Sequence, residues 1–351
     1  MSGAIAQVSA VRPIRIDFGA ESLLASEPRF RLLGEADVLA LPDLQWLVDG
    51  VLPMHGNGLL YGPAGIGKSF LALDLALTIA SGRETWHGRA IRPGAKTGGT
   101  ALYVAAEGAH GLKRRIAAWR EAQPYTGSLT IRFLDQAVHL GTLDDPRELV
   151  VAVEAGIAGP DDQPDLIVCD TLSRCMPGAD ENSQQDASAV IASLDYLRAE
   201  MGCATLMIHH TGINESRERG STVFRGAVDS LLSLSAADGV LSLKSDKMRD
   251  GAPMDPMYFR LEPIAESMAV VAVNPGTEAS RPLSPSALAI LHSLRRIARG
   301  DGCTCREWQV GSPGSRRAFY LARKVLLERG LVEQKRDRYR LTAAGEVQGA
   351  K

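Results

Sequence analysis

The sequence predicts an α/β protein with a mostly parallel sheet, followed by a small helical domain. Three observations lead to this fold class. Short apolar runs alternate with amphipathic helical stretches up to about residue 210, which is typical of parallel strands covered by helices on both faces. After about residue 227 the runs are joined by short turns, which predicts antiparallel strands at one edge of the sheet. A Pro-, Gly- and Ser-rich stretch then precedes a basic C-terminal segment.

The chain has 351 residues, which is room for two domains of about 150 residues each. Its net charge of −2 divides unevenly, because residues 281–351 hold 15 Lys and Arg against 6 Asp and Glu, a net of +9. This excess of positive charge indicates contact with a polyanion, although a solvated charged surface is the alternative. We predict an N-terminal arm over 1–45, an α/β core over 46–274, a linker over 275–284 and a separate domain over 285–351.

The predicted strands of the core are continuous apolar runs, and the first helix has an almost entirely apolar body, so all of them should be buried. The parallel strands are GLLYG (58–62), TALYVAAE (100–107), DLIVCD (165–170) and CATLMIHH (203–210). The antiparallel edge strands are DSLLSLS, GVLSLKS, MYFRLEP and MAVVAV. The helices of the core are predicted over 68–81, 111–122 and about 186–201.

The cysteine count and the hydropathy pattern indicate the compartment. The five cysteines are an odd number and lie mostly inside apolar runs, which favours reduced thiols over a disulfide framework. No apolar run approaches the ~18–20 residues that span a bilayer, and the N-terminus does not resemble a signal peptide. We therefore expect a cytoplasmic protein that does not contact a membrane.

A phosphate-binding loop follows the first strand and opens the first helix. It satisfies the pattern G-x-x-x-x-G-K-[ST] at every fixed position, in the strand–loop–helix context that the pattern requires. Its residues are Gly62, Pro63, Ala64, Gly65, Ile66, Gly67, Lys68 and Ser69. The glycines let backbone N–H groups approach phosphates, Lys68 would reach the β- and γ-phosphates, and the Ser69 hydroxyl would bind Mg²⁺. The sequence therefore predicts a site for ATP and Mg²⁺.

Two acidic residues at strand ends are the predicted metal-linked and catalytic carboxylates. Asp170 ends the strand DLIVCD, where a carboxylate can hold a water bound to magnesium. The next residue is Thr171, so the glutamate that follows this aspartate in many ATPases is absent. Glu107 ends TALYVAAE and is the candidate base, because strand ends of such sheets converge on the ligand crevice. A solvated glutamate at a strand end is the alternative.

The next strand ends in His209 and His210, and a polar side chain there could sense the γ-phosphate. Adjacent residues of a strand point to opposite faces, so at most one should touch the nucleotide, and the sequence does not decide which. The loop over 211–226 follows directly. Its arginines suit contact with nucleic acid, although a solvated loop is the alternative. They are Arg217, Arg219 and Arg225.

The order and spacing of these blocks resembles the RecA-type core of ATPases, and most closely the hexameric RepA-type replicative helicases of plasmids and phages, which are AAA family ATPases. The resemblance covers about residues 45–260. It is carried by YGPAGIGKSFLALDLAL, LYVAAEG, LIVCDTLSR, LMIHHTG and RGSTVFRGAVDSL. It implies a RecA-like P-loop core and ATP hydrolysis at the subunit interfaces of a homo-oligomeric, hexameric ring.

The resemblance also implies roles for single residues. Glu107 would be the water-activating base, Asp170 the carboxylate linked to magnesium, and one residue of the 209–210 pair the γ-phosphate sensor. Related ATPases have a K-x-R element that reaches into the neighbour's site, and Lys247-Met248-Arg249 fits that element, with Lys244 as a competitor. The N-terminal arm would pack on an adjacent subunit.

The C-terminal segment over 285–351 resembles a winged helix. SALAILHSLRRIARG, REWQVG and SRRAFYLARKVLLERG are predicted helices, and LVEQKRDRYRLTAAG is a two-stranded wing. In the third helix we expect Ala318, Leu321, Ala322, Val325 and Leu326 to form the apolar face. The expected DNA contacts are Arg316, Arg317 and Arg323 on that helix and Lys335 and Arg336 on the wing. Contact with a protein is the alternative.

The sequence as a whole predicts a cytoplasmic ATPase that binds single- and double-stranded DNA and acts as a ring-forming replicative helicase of a mobile element. Replication proteins are its expected partners. One alternative is a RecA-type ATPase that works in recombination or protein loading without unwinding. Another is a nucleotide-gated regulator that binds operators through the winged helix.

Overall fold

The computed structural model describes residues 32–91, 99–157, 159, 162–210, 222–237, 239–274, 283–298 and 302–348. The chain divides into two compact units, residues 1–43 and 44–351. In the described part of the first unit, helix α1 (Glu35–Leu39) follows Gly34, whose backbone N–H donates to Asp37 Oδ2 at 2.8 Å. The predicted arm lies mostly outside the described residues, as do the linker over 275–282 and the loop over 211–221.

The second unit contains a large mixed sheet, two small hairpins and a separate three-stranded sheet. Its strands are β1 (Trp46–Val48), β2 (Leu52–Pro53), β3 (Asn57–Gly62), β4 (Thr85–Trp86), β5 (Arg89–Ala90), β6 (Ala101–Ala105), β7 (Ile131–Leu134), β8 (Leu166–Asp170), β9 (Ala204–His210), β10 (Ser230–Ala237), β11 (Val240–Met248), β12 (Met257–Ile264), β13 (Ser267–Ala272), β14 (Cys303–Thr304), β15 (Val332–Lys335) and β16 (Arg338–Leu341). Its helices are α2 (Lys68–Ala80), α3 (Leu112–Ala122), α4 (Asp144–Gly156), α5 (Gln184–Met201), α6 (Thr222–Ala227), α7 (Pro285–Ile297), α8 (Cys305–Val310), α9 (Arg316–Glu328) and α10 (Ala343–Gln348).

The large sheet has nine strands in the order β13-β12-β11-β10-β3-β9-β8-β6-β7. The six strands from β10 to β7 are parallel, and β11, β12 and β13 continue the sheet in antiparallel fashion. This confirms the predicted α/β fold with a mostly parallel sheet. The strand DSLLSLS is antiparallel to β11, as predicted, but on its other side β10 pairs with β3 in parallel, with Ser230 opposite Gly58. Helix α6 directly precedes this strand in the chain.

Helices cover both faces of the parallel sheet, and neighbouring strand residues alternate between them. Leu60 and Tyr103 belong to the core on the α2 and α3 face, whereas Leu59 and Val104 belong to the core on the α4 and α5 face. Helix α2 is buried along nearly its whole length, as its apolar body predicts. This helix starts at the crevice where the parallel strands end, so its burial fixes the phosphate loop.

One charged residue of α2 is buried among aromatic side chains. Asp74 accepts hydrogen bonds from Trp86 Nε1 at 2.7 Å and Trp119 Nε1 at 3.1 Å, and His87 Nε2 lies 2.8 Å from the same carboxylate. A buried carboxylate is tolerated only when donors satisfy it. Because Trp119 belongs to α3, these bonds hold α3 against α2 beside the crevice.

Residues 283–348 have a hydrophobic core of their own. It contains Leu291 and Leu294 of α7, Trp308 of α8 and Phe319 of α9, among others. Helices α7, α8 and α9 pack with a sheet in the order β14-β16-β15, in which β15 and β16 form a hairpin. We call this part of the chain the C-terminal module.

The apolar face of α9 differs from the predicted one, because Leu321 is exposed, Phe319 is buried and Ala318 is only partly buried. Phe319, Ala322, Val325 and Leu326 are buried, whereas Leu321 is 59% exposed. Leu321 follows the helical spacing but lies on the flank of the apolar stripe, and the larger Phe319 fills the centre. Among the described residues of the whole chain, no helix combines the length and the apolar character needed to cross a bilayer.

Candidate nucleotide-binding site

The phosphate loop connects β3 to the N-terminus of α2. Gly67 has φ +113°, and a Cβ there would lie 2.8 Å from Leu261 Cδ1, so this position requires glycine for both its conformation and its space. Gly65 has φ +76° and is exposed at the tip of the loop. Helix α2 contributes its unpaired N-terminal N–H groups and the positive end of its dipole. The loop is therefore shaped as an anion-binding turn.

Lys68, the first residue of α2, directs its ammonium group back across the loop. Its Nζ donates to the carbonyl oxygens of Gly62 and Pro63, each at 2.8 Å, and lies 3.2 Å from His210 Nδ1. The residue is 4% exposed. Burial lowers the pKa of Lys68 to about 8, and the nearby Asp170 carboxylate partly opposes this shift. A phosphate bound in the loop would supply the negative charge that restores the ammonium form.

Asp170 lies at the end of β8, directly opposite the first turn of α2. The Ser69 hydroxyl donates to its Oδ1 at 3.0 Å, and the Tyr103 hydroxyl donates to its Oδ2 at 2.7 Å. Burial raises the pKa of Asp170, while the two hydroxyl donors and the Arg115 guanidinium lower it and Glu107 raises it. The pKa of Tyr103 is raised well above its usual value, first by burial and then by Asp170.

These oxygen atoms fit a magnesium ion. Ser69 Oγ and Asp170 Oδ1 already lie within 3.0 Å of each other beside the phosphate loop. Mg²⁺ prefers hard oxygen ligands and is usually held by one or two carboxylates together with substrate phosphates. No cluster of three or more His, Cys, Asp or Glu side chains that could hold a metal occurs in the described ranges. Ser69 and Asp170 would hold the ion only together with a nucleotide.

Glu107 lies two residues beyond the end of β6, next to Asp170. Its backbone N–H donates to the Asp170 carbonyl at 3.2 Å, and the Thr171 hydroxyl donates to its Oε2 at 3.3 Å. The residue is exposed at the crevice. Position 171, where many ATPases have a glutamate, is a threonine. Its hydroxyl contacts the carboxylate of Glu107 and orients it. The two predicted carboxylates therefore meet at neighbouring strand ends.

The structure distinguishes the two histidines of β9. His210 is opposite Gly62 in the sheet register and approaches Lys68, whereas His209 is 1% exposed and packs its ring 6.1 Å from that of Phe224. The phosphate loop is thus faced by His210. Of the two predicted γ-phosphate sensors, which the sequence left open, His210 is the one that lies beside the phosphate loop.

Arg115 is a residue of the crevice that sequence reasoning missed. Its guanidinium carbon lies 4.7 Å from the centre of the Phe70 ring, and its charge is close enough to act on Asp170 and Tyr103. A signal was present in the sequence: Arg115 stands with Ile116 and Trp119 on the apolar stripe of α3. A charged residue on the buried stripe of a helix needs a partner.

The K-x-R element lies away from the phosphate loop of its own chain. Lys247 Nζ donates to the carbonyls of Arg225, Gly226 and Val228, each at 2.8 Å. Arg249 donates to the carbonyls of Gly226 and Ala227 at 3.0 Å and pairs with Asp229 at 2.8 Å. Both cations therefore contact the C-terminal end of α6, as the helix dipole favours.

Sheet register gives the separation between this element and the phosphate loop of its own chain. Met248 is opposite Ser230, which is opposite Gly58 near the start of β3. The phosphate loop follows Gly62, four residues further along that strand, which is roughly 13 Å away. Lys247 and Arg249 therefore lie near the start of β3, whereas Lys68 follows the end of that strand.

The predicted DNA contacts fall into three groups. Arg217 and Arg219 lie outside the described residues, and Arg225 is exposed on α6. Arg323 is partly buried, donates to the Tyr339 hydroxyl at 3.2 Å and lies over the rings of Tyr320 and Tyr339. The remaining residues are exposed on the C-terminal module, and they are Arg316, Arg317, Lys335 and Arg336.

The parallel sheet, the glycine-rich loop and the carboxylates at the strand ends define a P-loop nucleoside triphosphatase with a RecA-like core. Residues 26–216 match the family described as AAA domain, and the chain belongs to that family. The structure is also similar to a KaiC-like protein from the hyperthermophilic archaeon Pyrococcus horikoshii OT3. That similarity has a TM-score of 0.43 and 18% sequence identity, and it covers 66% of this chain and 96% of the other. Its membership of the AAA domain family makes the chain an AAA-type ATPase, while the helicase role and the winged helix remain predictions.

Proposed function

We propose that this protein is a ring-forming, ATP-driven DNA motor of the replicative helicase type. The observation that carries the proposal is that the described residues on both sides of the segment over 211–221 contact predicted site residues. At its start it follows His210, which lies 3.2 Å from Lys68. After the segment, the Gly226 carbonyl of α6 accepts hydrogen bonds from Lys247 and Arg249.

Hydrolysis is assigned to the crevice side chains. Lys68 holds the β- and γ-phosphates, and Glu107 accepts a proton from the attacking water. Magnesium, held by Ser69 and Asp170 with the phosphates, supplies charge neutralisation on the transferred phosphoryl group. The Thr171 hydroxyl, 3.3 Å from Glu107 Oε2, keeps that carboxylate beside the crevice. Lys68 and His210 together form the positive and hydrogen-bonding surface that faces the γ-phosphate.

Coupling to DNA is assigned to the loop over 211–226, which follows His210 in the chain. Loss of the γ-phosphate changes the surroundings of His210 and so the start of the loop. The loop carries Arg217, Arg219 and Arg225, and a basic loop of this kind suits the backbone of single-stranded DNA. Lys247 and Arg249 lie too far from their own phosphate loop to serve it, which supports a site shared with a neighbouring subunit in a ring.

Strand displacement on a forked duplex tests the motor directly. The wild-type chain is expected to displace the strand in the presence of ATP and Mg²⁺, while Lys68→Ala and Glu107→Gln are expected to fail. Mass in solution, measured with and without ATP and single-stranded DNA, should increase to a closed oligomer. ATP hydrolysis stimulated by DNA but without strand displacement would favour a recombination or loading ATPase instead.

A second candidate function is a nucleotide-gated regulator that binds operators. The exposed basic side chains of α9 favour it, because Arg316 and Arg317 are directed to solvent in the C-terminal module. This function predicts slow ATP turnover and sequence-specific binding to duplex DNA. A selection for bound sequences from a random duplex pool distinguishes it, since a motor should enrich no single sequence.

A further inference from the structure

Asp229 stands between α6 and β10 in the chain and connects the K-x-R element to the parallel sheet. Its Oδ1 lies 2.8 Å from Arg249 Nη1, and its Oδ2 accepts a hydrogen bond from the backbone N–H of Asn57 at 2.8 Å. Its own backbone N–H donates to the Asn57 carbonyl at 2.8 Å, and its carbonyl accepts from the backbone N–H of Arg249 at 2.9 Å. The carboxylate is therefore fixed between the start of β3 and the residue that follows β11.

Both terminal nitrogens of the Arg249 guanidinium have partners in their own chain. Nη1 pairs with Asp229, and Nη2 donates to the carbonyls of Gly226 and Ala227, each at 3.0 Å. An arginine that stabilises a transferred phosphoryl group uses these same N–H donors. In the conformation that the structure shows, Arg249 is therefore engaged within its own chain and is withheld from a phosphate.

The two members of this ion pair differ in how firmly they are held. The Arg249 side chain is 46% exposed, whereas that of Asp229 is 14% exposed and is bonded to the backbone of buried Asn57. Because water screens an ion pair with an exposed partner, the contact contributes little free energy and can exchange. When the pair opens, Arg249 moves and Asp229 stays in place.

The helix end that holds Arg249 also carries a predicted DNA contact. Arg225 is exposed on α6, and its carbonyl accepts a hydrogen bond from Lys247 Nζ at 2.8 Å. The next carbonyl, that of Gly226, accepts from both Lys247 and Arg249. A displacement of α6 would break the carbonyl contacts of Arg249 and leave Asp229 as the partner that still holds it.

We propose that the ion pair between Asp229 and Arg249 is autoinhibitory and keeps Arg249 in its own chain until DNA displaces α6. Released Arg249 then stabilises the transferred phosphoryl group in the site of a neighbouring subunit. Asp229 is a positioning residue, because it acts only through Arg249. The inference deepens the proposed function and rests on its sharing of sites between subunits. It gives a physical reason for ATP hydrolysis to depend on DNA.

The test is the ATPase rate of the full chain without DNA. Asp229→Asn keeps an oxygen that can accept from the Asn57 N–H but replaces the charge that faces Arg249. Loss of the ion pair should raise this rate about fivefold, and stimulation by single-stranded DNA should fall by a similar factor. Adding Arg249→Ala to the same chain should abolish the increase. A purely structural role of Asp229 would not produce an increase that depends on Arg249.

The matched control is Asp195→Asn, on the other side of Asn57. Asp195 Oδ1 pairs with Arg198 at 3.0 Å and accepts from Asn57 Nδ2 at 2.8 Å, so the same replacement removes an ion-paired carboxylate that contacts the same residue. The ATPase rate without DNA should be unchanged in this control. Asp229→Glu restores the charge and should remain close to the wild-type rate. Thermal unfolding establishes that each variant is folded.

Mixed oligomers test whether the released arginine acts on a neighbour. A chain with Asp229→Asn and Glu107→Gln has lost its own base and carries a released Arg249. Mixed with Arg249→Ala chains, it should restore more ATPase activity without DNA than Glu107→Gln chains do in the same mixture. Equal restoration in the two mixtures would overturn the inference.

A folded Asp229→Asn chain with an unchanged or lower rate without DNA would also overturn it, as would an increase that persists after Arg249→Ala is added. If Arg249→Ala alone is inactive, such a result removes the autoinhibitory ion pair and leaves the shared site. If Arg249→Ala alone hydrolyses ATP at the wild-type rate, the shared site of the proposed function fails, and this inference fails with it. An Arg249-dependent increase in Asp229→Asn without strand displacement by the wild type would count against the motor and leave this inference standing.

Discussion

Lys68 Nζ lies 3.2 Å from Nδ1 of His210, so the cation of the phosphate loop and an imidazole of the neighbouring strand share one point of the crevice. His209, one residue earlier, faces the other side of the sheet and is enclosed by the core that contains Phe224. We therefore predict different roles for the two adjacent histidines, as the alternation of side chains along β9 leads one to expect.

The first prediction separates these roles. His210→Ala should reduce ATP hydrolysis by about 10²-fold or more, since it removes a preorganised polar group at the γ-phosphate. His209→Ala should lower the free energy of unfolding by about 1–3 kcal/mol because it opens a space in a buried core. Steady-state ATPase assays and chemical denaturation measure the two effects. Equal loss of turnover in both variants, with unchanged stability, would contradict the assignment.

The second prediction separates binding from hydrolysis. Lys68→Ala should abolish tight ATP binding, because the buried ammonium that neutralises the phosphates is lost. Glu107→Gln should retain binding and lose turnover, since only the proton acceptor is removed. Binding of a fluorescent ATP analogue and phosphate release report the two steps. Turnover of Glu107→Gln at the wild-type rate would show that another group is the base.

The third prediction concerns pH and Lys68. Its pKa of about 8 in the free protein should rise when phosphates bind, so binding takes up a proton and weakens as pH increases beyond about 8. Calorimetry in two buffers of different ionisation enthalpy measures the uptake. Lys68→Arg stays protonated over this range and is the control, which should show no such uptake. Identical heats in both buffers for the wild type would exclude this coupling.

The fourth prediction concerns the Tyr103 hydroxyl. Tyr103→Phe removes the 2.7 Å hydrogen bond that favours ionised Asp170, so the pKa of that carboxyl should rise further. As pH falls, the ATPase activity of Tyr103→Phe should therefore begin to decrease at a higher pH than that of the wild type. Tyr61→Phe is the control, because its hydroxyl donates to Asp246 and not to Asp170. If the low-pH side of the pH–activity profile is the same in Tyr103→Phe and the wild type, Asp170 does not control it.

The fifth prediction concerns sharing of sites between subunits. Arg249→Ala and Glu107→Gln should each be inactive alone, and mixing them should restore activity at interfaces that combine both intact residues. Removal of a trans arginine costs about 10³-fold or more in rate, so the rescue should be visible. Verified mixed oligomers without rescue would show that Arg249 only caps α6 of its own chain, and Lys244 would then be tested as the trans residue.

The sequence by itself determined the fold class, the phosphate loop and the two carboxylates. These features are local: a fixed spacing of glycines and lysine, and apolar runs that end in a charged residue. Since parallel strands end at one edge of a sheet, Lys68, Glu107 and Asp170 could be brought together without knowing any long-range contact. The six strands from β10 to β7 and the bond between Ser69 and Asp170 agree with that reasoning.

Tertiary structure alone decided the relationships that depend on which face of an element is covered. His210 faces the loop because of the register of β9 against β3, and Arg115 reaches the crevice because Asp74 holds α3 against α2. Leu321 is exposed and Arg323 is enclosed because of how α9 rotates against β16 and α8. Hydrophobic periodicity gives the existence of an apolar stripe, but its boundaries depend on the volumes that pack against it. The side chains that fill those volumes belong to segments that are distant in the chain, so a local sequence pattern cannot predict them.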